Sequence, residues 1–181
     1  MECALSEFTS EFELFTTVTD GGDWSSPNNV LQDFGTADTW FGPATMGVNL
    51  PKLSLPGGIP VINAITINDL QLQIRWQRAG NVGSGGRVDL ENFDIGGGPI
   101  SQDFSSTVEV EPLHTDQLGG DIAYWNVTQQ QMKDFIGGTT DLDFNRNNVS
   151  TNNSAQVKIA WIKVQIQYTY TGGGVAMPTR F

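Results

Sequence analysis

SAQVKIAWIKVQIQYTYT, from Ser154 to Thr171, alternates apolar and polar residues and is rich in β-branched and aromatic side chains. That pattern predicts a long strand rather than a helix. Val157, Ile159 and Trp161 point one way. From Ile162 the phase reverses: Ile162, Val164, Ile166, Tyr168 and Tyr170 share a face, and Lys163, Gln165, Gln167 and Thr169 face away. A reversal inside one strand marks a bulge, or a strand bending from one sheet towards another. Either way, other strands must cover its apolar face.

The nearest match to this pattern is Ile65 to Arg78. Leu70, Leu72, Ile74 and Trp76 alternate with Gln71, Gln73, Arg75 and Gln77, whereas Ile65 and Ile67 sit on the opposite parity. Two long strands with the same kind of flip are natural neighbours in one bent sheet. Shorter strands are expected around Val88 to Ile95, Phe104 to Val110 and Thr140 to Phe144. Gly96 to Pro99 ends the first of these, and Asn145 to Asn153 reads as a polar loop. Thr128 to Phe135 is the best helix: Thr128 caps it, Gln131 completes a capping box, and Gly137-Gly138 stops it. With 21 glycines in 181 residues and no long helical period, the chain reads as a loop-rich all-β protein.

Net charge is −11, and every charge before Lys52 is acidic. Phosphate backbones repel such a surface, so no nucleic-acid partner is expected. Cys3 is the only cysteine, which excludes an internal disulfide. The opening MECALSEFTSEF has neither the basic start nor the apolar run of a secretory signal. No apolar run approaches the ~20 residues of a membrane span. Synthesis in a reducing cytoplasm follows as the expectation, with no membrane partner.

Residues 1–23 read as an N-terminal arm. Leu5, Phe8, Phe12 and Phe15 fall on one helical face, but Phe12, Leu14, Thr16 and Val18 make an equally good strand face. So much aromatic surface needs cover, from its own domain or from a neighbouring subunit. The tail 172–181 follows the last strand.

Four signatures occur in order. They are WSSPNNV at Trp24 with FGTA at Phe34; LPGG at Leu55 with ITINDLQLQIR at Ile65; LGGDIAYWNVTQQQMKDF at Leu118; and IAWIKVQIQY at Ile159. Together they resemble a jelly-roll-like β-sandwich module of bacteriophage structural proteins and phage-derived bacterial genes. The match covers about Trp24 to Thr171, with Ser26 where that pattern has Asn, Asn126 where it has Gly, and Ala160 where it has Asp. The matched residues are anchors and turns, so the resemblance implies fold and virion origin rather than a mechanism. It also implies a two-sheet sandwich over 24–171 whose core is complete without the arm.

Three constellations compete with that reading. Asp141, Asp143 and Asn145 echo the start of a calcium loop, but Arg146 replaces its glycine and Asn152 its last acid. His114 lies near Asp116 and Asp121 without the shaped serine turn that a triad requires. Trp24, Trp40, Trp76, Trp125 and Trp161 could stack on sugars, yet Trp76 and Trp161 sit on alternating strands and read as core or sheet-edge packing. Trp24 and Trp125 match anchor positions of the resembling module, and Trp40 alone is then left to be exposed.

The expected function is a virion structural protein: a capsid decoration (cement) protein on the capsid surface, made in the host cytoplasm. Its partners are the major capsid protein or another virion protein, and copies of itself in a homotrimer or other homo-oligomer. Leu5, Phe8, Phe12, Phe15 and Trp40 are the expected contact residues, with no catalytic residue, metal or cofactor. The alternative is a carbohydrate-binding tail-fibre or adhesin module that recognises host surface glycans.

Overall fold

The computed structural model describes residues 6–15, 17–20, 38–40, 45–49, 64–79, 87–102, 104–106, 114–148 and 156–170. The expected strand is β11 (Gln156–Tyr170), and its expected neighbour is β6 (Ile65–Ala79). They pair antiparallel from Gln156↔Ala79 to Tyr170↔Ile65. The register shifts twice, with Ala160 the extra residue on β11 and Asn68 the extra residue on β6. Each phase reversal is therefore a bulge, and a bulge lets both halves of a strand keep their apolar side chains on one face. Val157, Ile159, Ile162, Val164, Ile166 and Tyr168 are all fully buried, as are Leu70, Leu72, Ile74 and Trp76. The reversal falls at Ala160, two residues earlier than the sequence suggested. Trp161 consequently leaves the core side and lies half-buried on the outer face with Lys163.

Along its other edge β11 pairs with three short strands in succession: β4 (Asp38–Trp40), β2 (Glu13–Leu14) and β1 (Ser6–Thr9). The free side of β6 takes β9 (His114–Gly120), completing the first sheet. The second sheet runs β3 (Thr17–Asp20), β5 (Thr45–Asn49), β10 (Leu142–Asn148), β7 (Val88–Asp94), β8 (Phe104–Ser106). Number the eight strands from β4 to β11 as first to eighth. The sheets then read first-eighth-third-sixth and second-seventh-fourth-fifth, the strand order of a jelly roll. The inner faces meet in one core, where Phe93 stacks on Phe144 at 5.5 Å and meets Phe104 edge-on at 5.5 Å. β7 carries a third bulge. Asn92 adopts φ 59°, which brings Phe93 inward after Leu90.

Residues 6–15 belong to this architecture. Phe15 is 1% exposed in the core and lies 6.0 Å from the ring of Phe135. Ser10 Oγ accepts from Ile166 N at 3.0 Å, and its carbonyl accepts from Gln165 Nε2 at 3.0 Å. Of the two covers open to the segment, its own domain supplies the one for Phe15, and the core does not begin at Trp24. Leu5, Trp24 and the tail 172–181 lie outside the described residues.

Helix α1 (Gln129–Ile136) starts where expected: Thr128 Oγ1 accepts from Gln131 N, and Gln131 Oε1 accepts from Thr128 N. Two strands were less legible. β9, HTDQLGG, has little apolar content, and β10 continues through Asn145–Asn148, which reads as loop but pairs with β7.

Asn126 has φ 54°, in the left-handed region that favours glycine. Asn126→Gly should leave thermal stability unchanged or slightly raised. Asn126→Val should cost about 1–2 kcal/mol by chemical denaturation.

Candidate functional site

Two surfaces bring polar side chains together. The first lies where the loop after β7 meets the segment between β9 and α1. Asp94 Oδ1 accepts from the backbone N–H groups of Gly96, Gly97 and Gly98 at 2.7, 3.1 and 3.0 Å. A Cβ on Gly97 would collide with the carbonyl of Asn126, so the glycine permits the close approach of the two segments. Asp121 Oδ1 accepts from Ala123 N and Tyr124 N, and Trp125 Nε1 donates to the Leu70 carbonyl at 3.0 Å. Gln129 bridges Ile67 beyond the end of β9, accepting from its N–H at 3.1 Å and donating to its carbonyl at 2.6 Å. Beside these loops is an open groove of about 340 Å³ lined by Pro99, Ile100, Ser101, Gln102, Tyr124 and Asn126. Burial pushes the Tyr124 phenol above its ordinary pKa, against a smaller opposing effect of a hydrogen bond from the Gly119 backbone.

The second surface is the outer face of the first sheet. Register places Thr115, Arg75 and Trp161 in one row across β9, β6 and β11, and Gln117, Gln73 and Lys163 in the next. Arg75 Nη1 donates to Thr115 Oγ1 at 3.2 Å. Gln73 Nε2 donates to Gln117 Oε1 at 3.0 Å, and Gln117 Nε2 donates to Gln71 Oε1 at 3.3 Å. Lys163 Nζ stands 4.5 Å from the Trp161 ring centroid, within cation–π range.

Of the expected contact residues, Leu5 and the side chain of Trp40 lie outside what the structure describes. Phe15 is withdrawn into the core, and Phe8 is half-buried in β1, stacked on Tyr168 at 5.4 Å. Phe12 is half-buried beside β2, and Trp40 ends β4 opposite Val157. Trp161 was missed because its reversal was set at Ile162. Its common parity with Lys163 and Gln165 was the available signal. Trp76 and Trp125 are fully buried.

The acids near His114 have structural partners: Asp116 Oδ2 accepts from Trp76 Nε1 at 2.6 Å, and Asp121 holds the turn described above. Among the described residues, no group of three or more His, Cys, Asp or Glu side chains is placed to hold a metal. None of the described helices is long and apolar enough to cross a membrane. Asp143 pairs in register with Asp94. Partial burial raises its pKa above the ordinary carboxylate value, and the charges of Asp141 and Asp94 add to the rise. A raised acid favours the fold in its protonated form, and that advantage is lost as pH rises through its folded-state pKa. Asp143→Asn should therefore raise the melting temperature at neutral pH. The gain over the parent should shrink as pH falls through the carboxylate range.

No family model and no curated protein matches the chain. Among solved structures it is similar to a family two carbohydrate esterase from Cellvibrio japonicus, with a TM-score of 0.31 and 11% identity. The alignment covers 97% of this chain but only 37% of that one, a likeness too distant to carry an argument about either fold or activity.

Proposed function

We propose that the protein is a structural component of a bacteriophage particle, a capsid decoration protein that binds the assembled lattice as a homo-oligomer, trimeric in the simplest case. One observation carries the reading: the described signature residues of the phage-module resemblance hold the scaffold. Asp121 ties a turn, Trp125 anchors β6, Thr128 and Gln131 cap α1, and Phe135 meets Phe15. Such a signature suits a module that works by offering surfaces rather than by chemistry. A protein that binds only the assembled lattice stabilises it by mass action. Quantitative mass spectrometry of particles purified from a strain that carries the gene tests this. Hundreds of copies per particle are expected. Absence from particles, or only a handful of copies in the tail fraction, overturns the decoration role.

A second reading, recognition of host surface glycans, is favoured by the placement of Trp161 on an outer face among amide side chains.

A further inference from the structure

We propose that the outer face of the first sheet is a binding site for acidic glycans, chains of sugars that carry carboxylates. The inference rests on the glycan reading and is independent of the decoration role. Its centre is the pair of rows formed by Thr115, Arg75 and Trp161 and by Gln117, Gln73 and Lys163.

Three properties of these rows converge on that ligand. Trp161 offers part of its indole, a flat apolar surface with a polar tip, of the kind that packs against the C–H face of a pyranose. Gln73 and Gln117 each present donors and an acceptor, the two-way capacity that sugar hydroxyls require. The charges decide the class. The whole chain has 9 Lys and Arg against 20 Asp and Glu, yet these two rows hold Arg75 and Lys163 and no acid. Arg75 is opposite Trp161 in the register, and Lys163 stands over its ring. A sugar against the part of the indole that Lys163 leaves uncovered therefore has Arg75 beside it, and a guanidinium matches a carboxylate with two parallel hydrogen bonds.

Other occupants fit less well. A nucleic acid would meet two cations here on a chain whose net charge is −11, too few to offset the repulsion of its phosphates. A protein interface needs a broad apolar centre, whereas among the described residues these rows offer Trp161 and, paired with Lys163 at the β2 edge, the half-buried Leu14. The same net charge repels long polyanions at a distance, so short oligosaccharides are the suitable probes.

The test is a titration of the full chain, followed by calorimetry and by backbone amide shifts, with three probes. These are trigalacturonate, the neutral cellotriose, and a triglutamate peptide that carries carboxylates without sugar rings. Trigalacturonate should bind saturably and shift the amides of Gln73, Arg75, Thr115, Gln117, Trp161 and Lys163. Cellotriose and triglutamate should each bind at least about tenfold more weakly. Trp161→Ala and Arg75→Gln should each weaken trigalacturonate binding about tenfold, while Lys133→Ala, on α1, should not. Arg75→Gln keeps the outer face polar, so the test stands even if Trp161→Ala fails to fold. Equal affinity for cellotriose overturns the acidic class but leaves the glycan reading. Equal affinity for triglutamate, or no saturable binding of either sugar, overturns both.

Discussion

A chain lacking residues 1–15 should fail to fold. Phe15 is 1% exposed, and truncating a buried phenylalanine to alanine costs about 3–5 kcal/mol. Domains of this size are stable by about 5–15 kcal/mol, so that single loss is already a large fraction. The deletion also strips β1 and β2 from the edge of β11. It removes the Ser10 bonds to Gln165 and Ile166 and exposes Tyr168 where Phe8 now stacks on it. The expected result is insoluble protein, or soluble protein without a cooperative unfolding transition in circular dichroism. Phe15→Ala should fold with a clearly lowered denaturation midpoint. If the truncated chain unfolds at the same midpoint as the intact one, the N-terminal strands contribute nothing and the sandwich is complete from Trp24.

Val164→Asp or Ile166→Asp should also abolish soluble folding. Both side chains are fully buried between the sheets, and an unpaired carboxylate there costs several kcal/mol. Gln165→Asp, between them on the outer face, should cost only about 1 kcal/mol, the value of its lost hydrogen bond to the Ser10 carbonyl. Expression followed by urea denaturation of the three variants checks the contrast. Equal tolerance at all three positions would mean that the assigned inner face of β11 is wrong.

Much of this architecture was legible because burial on one face writes itself into the parity of a strand. The two phase reversals signalled bulges in β11 and β6, that of β11 two residues too late, and identified the strands as neighbours. The capping box located α1. What escaped was structure held by backbone pairing without apolar side chains. HTDQLGG forms β9 because Leu70 to Trp76 offers it a complete hydrogen-bonding edge, and Asn145–Asn148 follows β7 for the same reason. Neither leaves a hydrophobic signature. The N-terminal segment was ambiguous because its aromatic spacing suits two periods at once, and only the β11 edge decides between them. The outer face of the first sheet was hidden by a shift of two residues: a reversal at Ala160 rather than Ile162 turns Trp161 from packing into surface.

The position of β11 in the chain has a consequence for how the protein is made. It is the last of the described strands to be synthesised, yet it lies between β6 on one side and β4, β2 and β1 on the other. Ser6 pairs with Tyr170, so contacts that close the first sheet span nearly the whole chain. Until residues 156–170 emerge, the early strands have no partner in that sheet, and one edge of β6 stands open. Sequence-distant pairings of this kind slow folding, and open edges expose the nascent chain to aggregation. The pairings of β1, β2, β4 and β6 with β11 therefore wait for residues 156–170, and a chain that stops before Gln156 cannot form them.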